Sequence, residues 1–132
     1  MSEEVKVRVE NLTKCFGDLK VLDEVSFNIK KGEFVCIVGP TGCGKTTFLK
    51  LLTKLIEPTS GEIYIDGEPA DPTKHNISFV FQEPSAFPWL TAQQNIEYGL
   101  KVKKRPEKEI KEQTDKIIGL LGLEKFRDAY PH

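Results

Sequence analysis

The alternation of apolar and polar residues along this chain separates two kinds of strand. Val5-Lys6-Val7-Arg8-Val9-Glu10 alternates, as do Val25-Ser26-Phe27-Asn28-Ile29-Lys30 and Glu62-Ile63-Tyr64-Ile65-Asp66. Successive strand side chains point to opposite faces, so alternation predicts strands with one solvated face, usually antiparallel. Phe34-Val35-Cys36-Ile37-Val38 is instead continuously apolar, and Ile77-Ser78-Phe79-Val80-Phe81 nearly so. Such runs predict strands buried on both faces, as in a parallel sheet. The expected fold is therefore α/β, an N-terminal antiparallel layer joined to a partial parallel core.

Helical periodicity follows the second kind of strand. The segment from Thr46 to Ile56 reads as a helix ending near Glu57-Pro58, since proline disfavours helix in the residue before it. Glu83-Pro84-Ser85-Ala86-Phe87-Pro88-Trp89-Leu90 is a proline- and aromatic-rich loop. Thr91 is placed to N-cap a helix over Ala92 to Lys101. Pro106 opens a further helix, with Ile110, Thr114, Ile117 and Leu121 on one face and Gly122 as its stop. Leu123 to Tyr130 begins another short helical piece. The pattern suggests a core over residues 1–90 and the start of a helical subdomain over 91–132.

Between the first apolar run and the first helix lies Gly39-Pro40-Thr41-Gly42-Cys43-Gly44-Lys45-Thr46-Thr47. It fits G-x-x-x-x-G-K-[ST], the phosphate-cradling P-loop, with the strand before it and the helix after it that the motif requires. Glycines let the backbone turn sharply and aim successive N–H groups inward as an anion nest. The helix that follows adds its unsatisfied N–H groups and positive dipole end. Lys45 brings a point charge for β- and γ-phosphates, and the Thr46 hydroxyl is a Mg²⁺ ligand of the right kind. Thr47 is placed to cap the helix or to touch an α-phosphate oxygen. Cys43 fills a free position of the motif, as a small filler or as a reactive thiol at a helix N-terminus.

Composition narrows the setting. Net charge is −1, so no global basic field recruits nucleic acid. The basic run Lys101 to Arg105 is too short for a nucleic-acid patch and reads as a solvated linker. No apolar run approaches the roughly 18 residues that span a bilayer. The acidic start, Met1-Ser2-Glu3-Glu4, has no secretory h-region. Three cysteines, Cys15, Cys36 and Cys43, with no C-x-x-C pair, suit a reducing cytosol. His75 and His132 lie far apart with no cysteine cluster beside them, which argues against zinc.

The surroundings of the loop choose among nucleotide-binding classes. Asn11-Leu12-Thr13-Lys14-Cys15-Phe16-Gly17 followed by Val21-Leu22-Asp23-Glu24-Val25-Ser26-Phe27 resembles the N-terminal strand pair of ABC transporter ATP-binding subunits. Ile37 to Thr47 resembles that family's Walker A, Pro58-Thr59-Ser60-Gly61-Glu62-Ile63 its next hairpin, and Phe79-Val80-Phe81-Gln82-Glu83 its Q-loop. The resemblance covers essentially the whole chain, in order. No Asn-Lys-x-Asp base-reading motif supports a GTPase instead.

The resemblance implies roles. Phe16 would stack on adenine, residues 39–47 would hold ATP, and Lys45 and Gln82 would serve catalysis. Thr46 and Gln82 would reach Mg²⁺. The segment 85–90 would meet a transmembrane permease subunit, with Phe87 and Trp89 at the interface. Phe87-Pro88-Trp89-Leu90-Thr91 is similar to importers of nitrate, sulfonate and related anions. The protein would be cytoplasmic, peripheral on the inner face of the membrane, and would pair with a second ATP-binding subunit. A signature LSGG motif, a Walker B aspartate, a catalytic glutamate and a switch histidine would come after Tyr130-Pro131-His132. The chain is therefore expected to be an N-terminal portion that binds ATP without hydrolysing it alone. Without those groups, the two apolar runs are expected to have open edges, leaving the isolated chain marginally stable or self-associating. The alternative is a non-catalytic nucleotide-binding or assembly module.

Overall fold

The computed structural model describes residues 4–132, so Met1-Ser2-Glu3, which begin the acidic start, lie outside the described residues. The chain divides into two compact units, one running to Phe79 and one from Val80 to His132.

The first unit is built on a four-stranded sheet in the order β2-β1-β3-β4, antiparallel throughout. The strands are β1 (Val5–Phe16), β2 (Leu19–Lys30), β3 (Ser60–Ile65) and the short β4 (Glu68–Pro69). The antiparallel layer expected from alternation is thus present, and β1 and β2 are longer than the alternation suggested. Two bulges explain the difference. Val9 pairs Phe27 and Leu12 pairs Val25, so β1 holds one extra residue between them. That residue restores inward orientation to Leu12, which would otherwise face solvent. Asn11, at φ 47°, carries the bulge, and its N–H donates to Ser26 Oγ at 2.8 Å. β2 repeats the device at Glu24, φ 46°, whose N–H donates to Thr13 Oγ1 at 3.0 Å.

Helix α1 (Lys45–Leu52) covers the sheet. Val9, Leu12, Ile63 and Ile65 from the strands join Phe48 and Leu51 of α1, with Ala70, in one buried cluster. The rings of Phe27 and Phe48 meet at 5.3 Å. α1 stops earlier than Glu57. Lys54 takes a left-handed φ of 60°, and Leu55 N–H reaches back to Lys50 C=O at 2.9 Å.

The parallel core is where expectation and structure part. Neither Phe34–Val38 nor Ile77–Phe81 enters a sheet among the described residues. Phe34, Val38 and Val80 are 92%, 87% and 92% exposed. A continuous apolar run is a strand only when a neighbouring strand completes its ladder, and among the described residues no ladder includes these two.

The second unit holds α2 (Ala92–Val102), α3 (Glu107–Leu121) and a 3₁₀ turn at Glu124–Phe126. Thr91 caps α2 as expected. Its Oγ1 accepts from Gln94 N–H, and Gln94 Oε1 accepts from Thr91 N–H, a complete capping box. Gly122, at φ 67°, ends α3. The buried stripe of α3 is corrected to Ile110, Thr114 and Ile118; Ile117 and Leu121 are exposed. At about 100° per residue, Ile117 and Ile118 flank the Ile110 row on opposite sides, about 20° one way and about 80° the other, and it is the Thr114–Ile118 side that is buried.

Candidate functional site

The loop 39–47 is shaped by three glycines with different tasks. Gly44 is buried at φ 100° as the N-cap of α1. A Cβ there would sit 2.9 Å from Leu22 Cδ2 and 3.1 Å from Val21 Cγ1, so only glycine lets the loop close onto β2. Gly42 takes φ 83° in open space. A Cβ on Gly39 would sit 2.7 Å from Cys43 Sγ, which places the thiol inside the turn, facing the loop's first residue. Pro40 C=O accepts from Cys43 N–H at 3.3 Å and closes the turn.

The donors converge at the end of this turn. The first intrahelical bond of α1 is Phe48 N–H to Gly44 C=O at 2.9 Å. The N–H groups of Lys45, Thr46 and Thr47 therefore have no acceptor within the helix. Lys45 Nζ donates to Gly39 C=O and to Pro40 C=O. An ammonium folded onto its own loop, in the first turn of a helix whose leading N–H groups have no acceptor within it, is a donor set that fits an anion. Thr46 lies exposed at the same turn. Behind the loop, Leu22, Phe27, Ile37, Val38 and Phe48 line an apolar cavity of about 220 Å³.

Phe16 closes β1 opposite Leu19, at the tip of the hairpin whose Val21 and Leu22 pack on Gly44. Phe16 is 49% exposed. The hairpin thus carries the aromatic candidate and walls the loop.

Gln82 belongs to the second unit, where it lies exposed on a bend. The second unit begins at Val80, and within it the loop through Phe87 is bonded to α2. Asn95 does most of that work, and the sequence reading passed over it. Its Oδ1 accepts from Phe87 N–H at 2.8 Å, and its Nδ2 donates to the carbonyls of Phe87, Leu90 and Thr91, each at 3.1 Å. Phe87 packs on Tyr98 at 4.7 Å and on Trp89 at 5.4 Å. Phe87 is half-buried, whereas Trp89 is 69% exposed. The one textual signal for Asn95 is an amide four residues after a capping threonine, in reach of the loop's carbonyls.

Farther along α2, Glu97 accepts from Gln93 Nε2 at 2.7 Å and Lys101 Nζ at 2.8 Å. The Lys101 ammonium, helped by Gln93, holds its carboxyl below the ordinary glutamate value, against partial burial that pushes upward.

The model of the ABC transporter family matches residues 22–132. The chain belongs to the ABC transporter family. It is 39% identical over 132 residues to an uncharacterised ABC transporter ATP-binding protein, MJ0412, of Methanocaldococcus jannaschii, covering 97% of this chain and 49% of the relative. It is 38% identical to an Fe(3+) ions import ATP-binding protein of Fusobacterium nucleatum, covering 96% of this chain and 35% of the relative. Among solved structures, the ATP-binding cassette MJ0796, dimeric and bound to ADP and Pi, aligns with a TM-score of 0.80 at 35% identity, over 95% of this chain and 61% of that one. This ABC family chain spans about half the length, or less, of these curated relatives.

Proposed function

We propose that this chain is the nucleotide-holding part of an ABC transporter ATP-binding subunit, taking Mg²⁺-ATP on residues 39–47. The observation that carries the reading is the loop itself: Lys45 donates to the carbonyls of Gly39 and Pro40 beside N–H groups of residues 45–47 that have no acceptor within the helix. Phosphates would replace the loop carbonyls as partners of the Lys45 ammonium. Among the described residues no cluster of three or more His, Cys, Asp or Glu could hold a metal ion. Mg²⁺ would be bound mainly through phosphate oxygens, with the Thr46 hydroxyl as its protein ligand. Phe16 would carry the adenine.

The whole protein would couple ATP hydrolysis to transport through a permease, docked on Gln82 and residues 85–90, where Trp89 offers an exposed aromatic surface. Relatives named as import ATP-binding proteins favour import. The nitrate- and sulfonate-type substrate rests on Phe87-Pro88-Trp89-Leu90-Thr91 alone. A second ATP-binding subunit would complete the site, as the dimeric cassette it resembles suggests. No helix among the described residues is long and apolar enough to cross a membrane, which is compatible with a peripheral place on the cytoplasmic face.

The test is Mg²⁺-ATP binding by titration calorimetry. Lys45→Ala removes charge-assisted contacts to phosphate and should weaken binding about 10-fold to 100-fold. An unchanged affinity would overturn the reading.

A further inference from the structure

Lys14 is not part of the loop, yet its ammonium contacts both Phe16 and the segment that follows α1. It stands two residues before Phe16 on β1, and its ammonium lies 5.1 Å from the Phe16 ring centroid. That is within the roughly 6 Å over which a cation is held by an aromatic face. The same Nζ donates to Glu57 C=O at 2.7 Å. Glu57 lies on the segment that leaves α1, the helix whose first turn carries Lys45 and Thr46.

Two more hydrogen bonds bracket this contact. Thr59 N–H donates to Thr13 C=O, and Cys15 N–H donates to Thr59 Oγ1, both at 2.9 Å. Residues 13–15 and 57–59 are therefore tied on either side of Lys14. The ammonium occupies one face of the Phe16 ring, while Phe16 as a residue remains 49% exposed.

We propose that Lys14 is a positioning residue for base stacking. It closes one face of Phe16 and fixes the ring's tilt against the segment that follows α1, so that a nucleobase stacks on the other face only. The proposal rests on the reading of Phe16 as the base platform.

The experiment compares ATP with inorganic tripolyphosphate, which shares the phosphates and lacks the base. Both are titrated against the wild-type chain and the variants Phe16→Ala, Lys14→Met and Lys14→Arg, each checked for an intact fold by circular dichroism. Lys14→Met should weaken ATP about threefold to fivefold, the range expected of an exposed cation–π contact. Tripolyphosphate should be unaffected, and Lys14→Arg should restore ATP. If Phe16→Ala weakens ATP but Lys14→Met does not, the Lys14 proposal falls and base stacking stands. If Phe16→Ala leaves ATP unchanged, stacking itself is wrong and both readings fall. Equal weakening of both ligands by Lys14→Met also overturns the proposal, because the loss is then not at the base.

Discussion

Gly61 of β3 presses its Cα against the bulge at Asn11 of β1. A Cβ on Gly61 would lie 2.2 Å from the Asn11 carbonyl oxygen and 2.7 Å from that of Glu10. Gly61 also takes φ 84°. Backbone cannot swing aside as a side chain can, so Gly61→Ala must push β3 away from the bulge. We expect a loss of about 2–4 kcal/mol, measured by urea unfolding. Gly67→Ala, at φ 80° but in open space, should lose about 1 kcal/mol.

Thr114 sits 1% exposed in the buried stripe of α3, and its hydroxyl has no hydrogen-bond partner among the described residues. Burying an unpaired hydroxyl is unfavourable, while valine has the same shape and a similar helix propensity. Thr114→Val should therefore stabilise the second unit by about 1 kcal/mol, read as a raised midpoint in thermal unfolding followed at 222 nm.

Glu97 makes the second unit sensitive to acid. Its folded carboxyl is held below the ordinary value of 4.5 by Lys101 first and Gln93 after it. A depressed carboxyl contributes stability that is complete above the unfolded value. That contribution declines as pH falls below about 4.5 and through the lowered folded value. Glu97→Gln should be less stable than wild type at pH 7, and the difference should shrink as unfolding is repeated down to pH 3. A constant difference would remove ionised Glu97 from the account.

Asn95 holds the loop that presents Trp89, and Trp89 is the single tryptophan of the chain. Asn95→Ala removes four hydrogen bonds to residues 87–91. Trp89 fluorescence should then show lower anisotropy and faster acrylamide quenching. The Phe87 amide should exchange at least about tenfold faster. Asn95→Asp keeps the acceptor for Phe87 N–H but turns a carboxylate toward three carbonyls, so it should not rescue the loop.

The loop 39–47, the capping threonine of α2, the stop at Gly122 and the antiparallel layer were all legible in the text of the chain. Each is a local matter. A glycine turn, an N-cap and an alternating strand need only near neighbours to express their chemistry. The ends of β1 and β2 were not legible, because a bulge breaks alternation while the strand continues, and only the partner's register reveals the extra residue. The α3 stripe was misplaced by one position, since Ile117 and Ile118 are equally apolar and what packs against the helix selects between them.

Phe34–Val38 and Ile77–Phe81 mark the limit of reading by pattern. Their composition asks for a buried strand, but a ladder is a property of two chains side by side. Likewise Lys45 was a candidate by type and spacing and Phe16 by resemblance to the family, whereas Lys14 and Asn95 gained meaning from groups about 43 and 8 residues away in sequence. Residue order settles which chemistry is on hand and which local shapes are allowed. Long-range contacts settle which of those groups meet, because folding, not sequence distance, brings their atoms within bonding range.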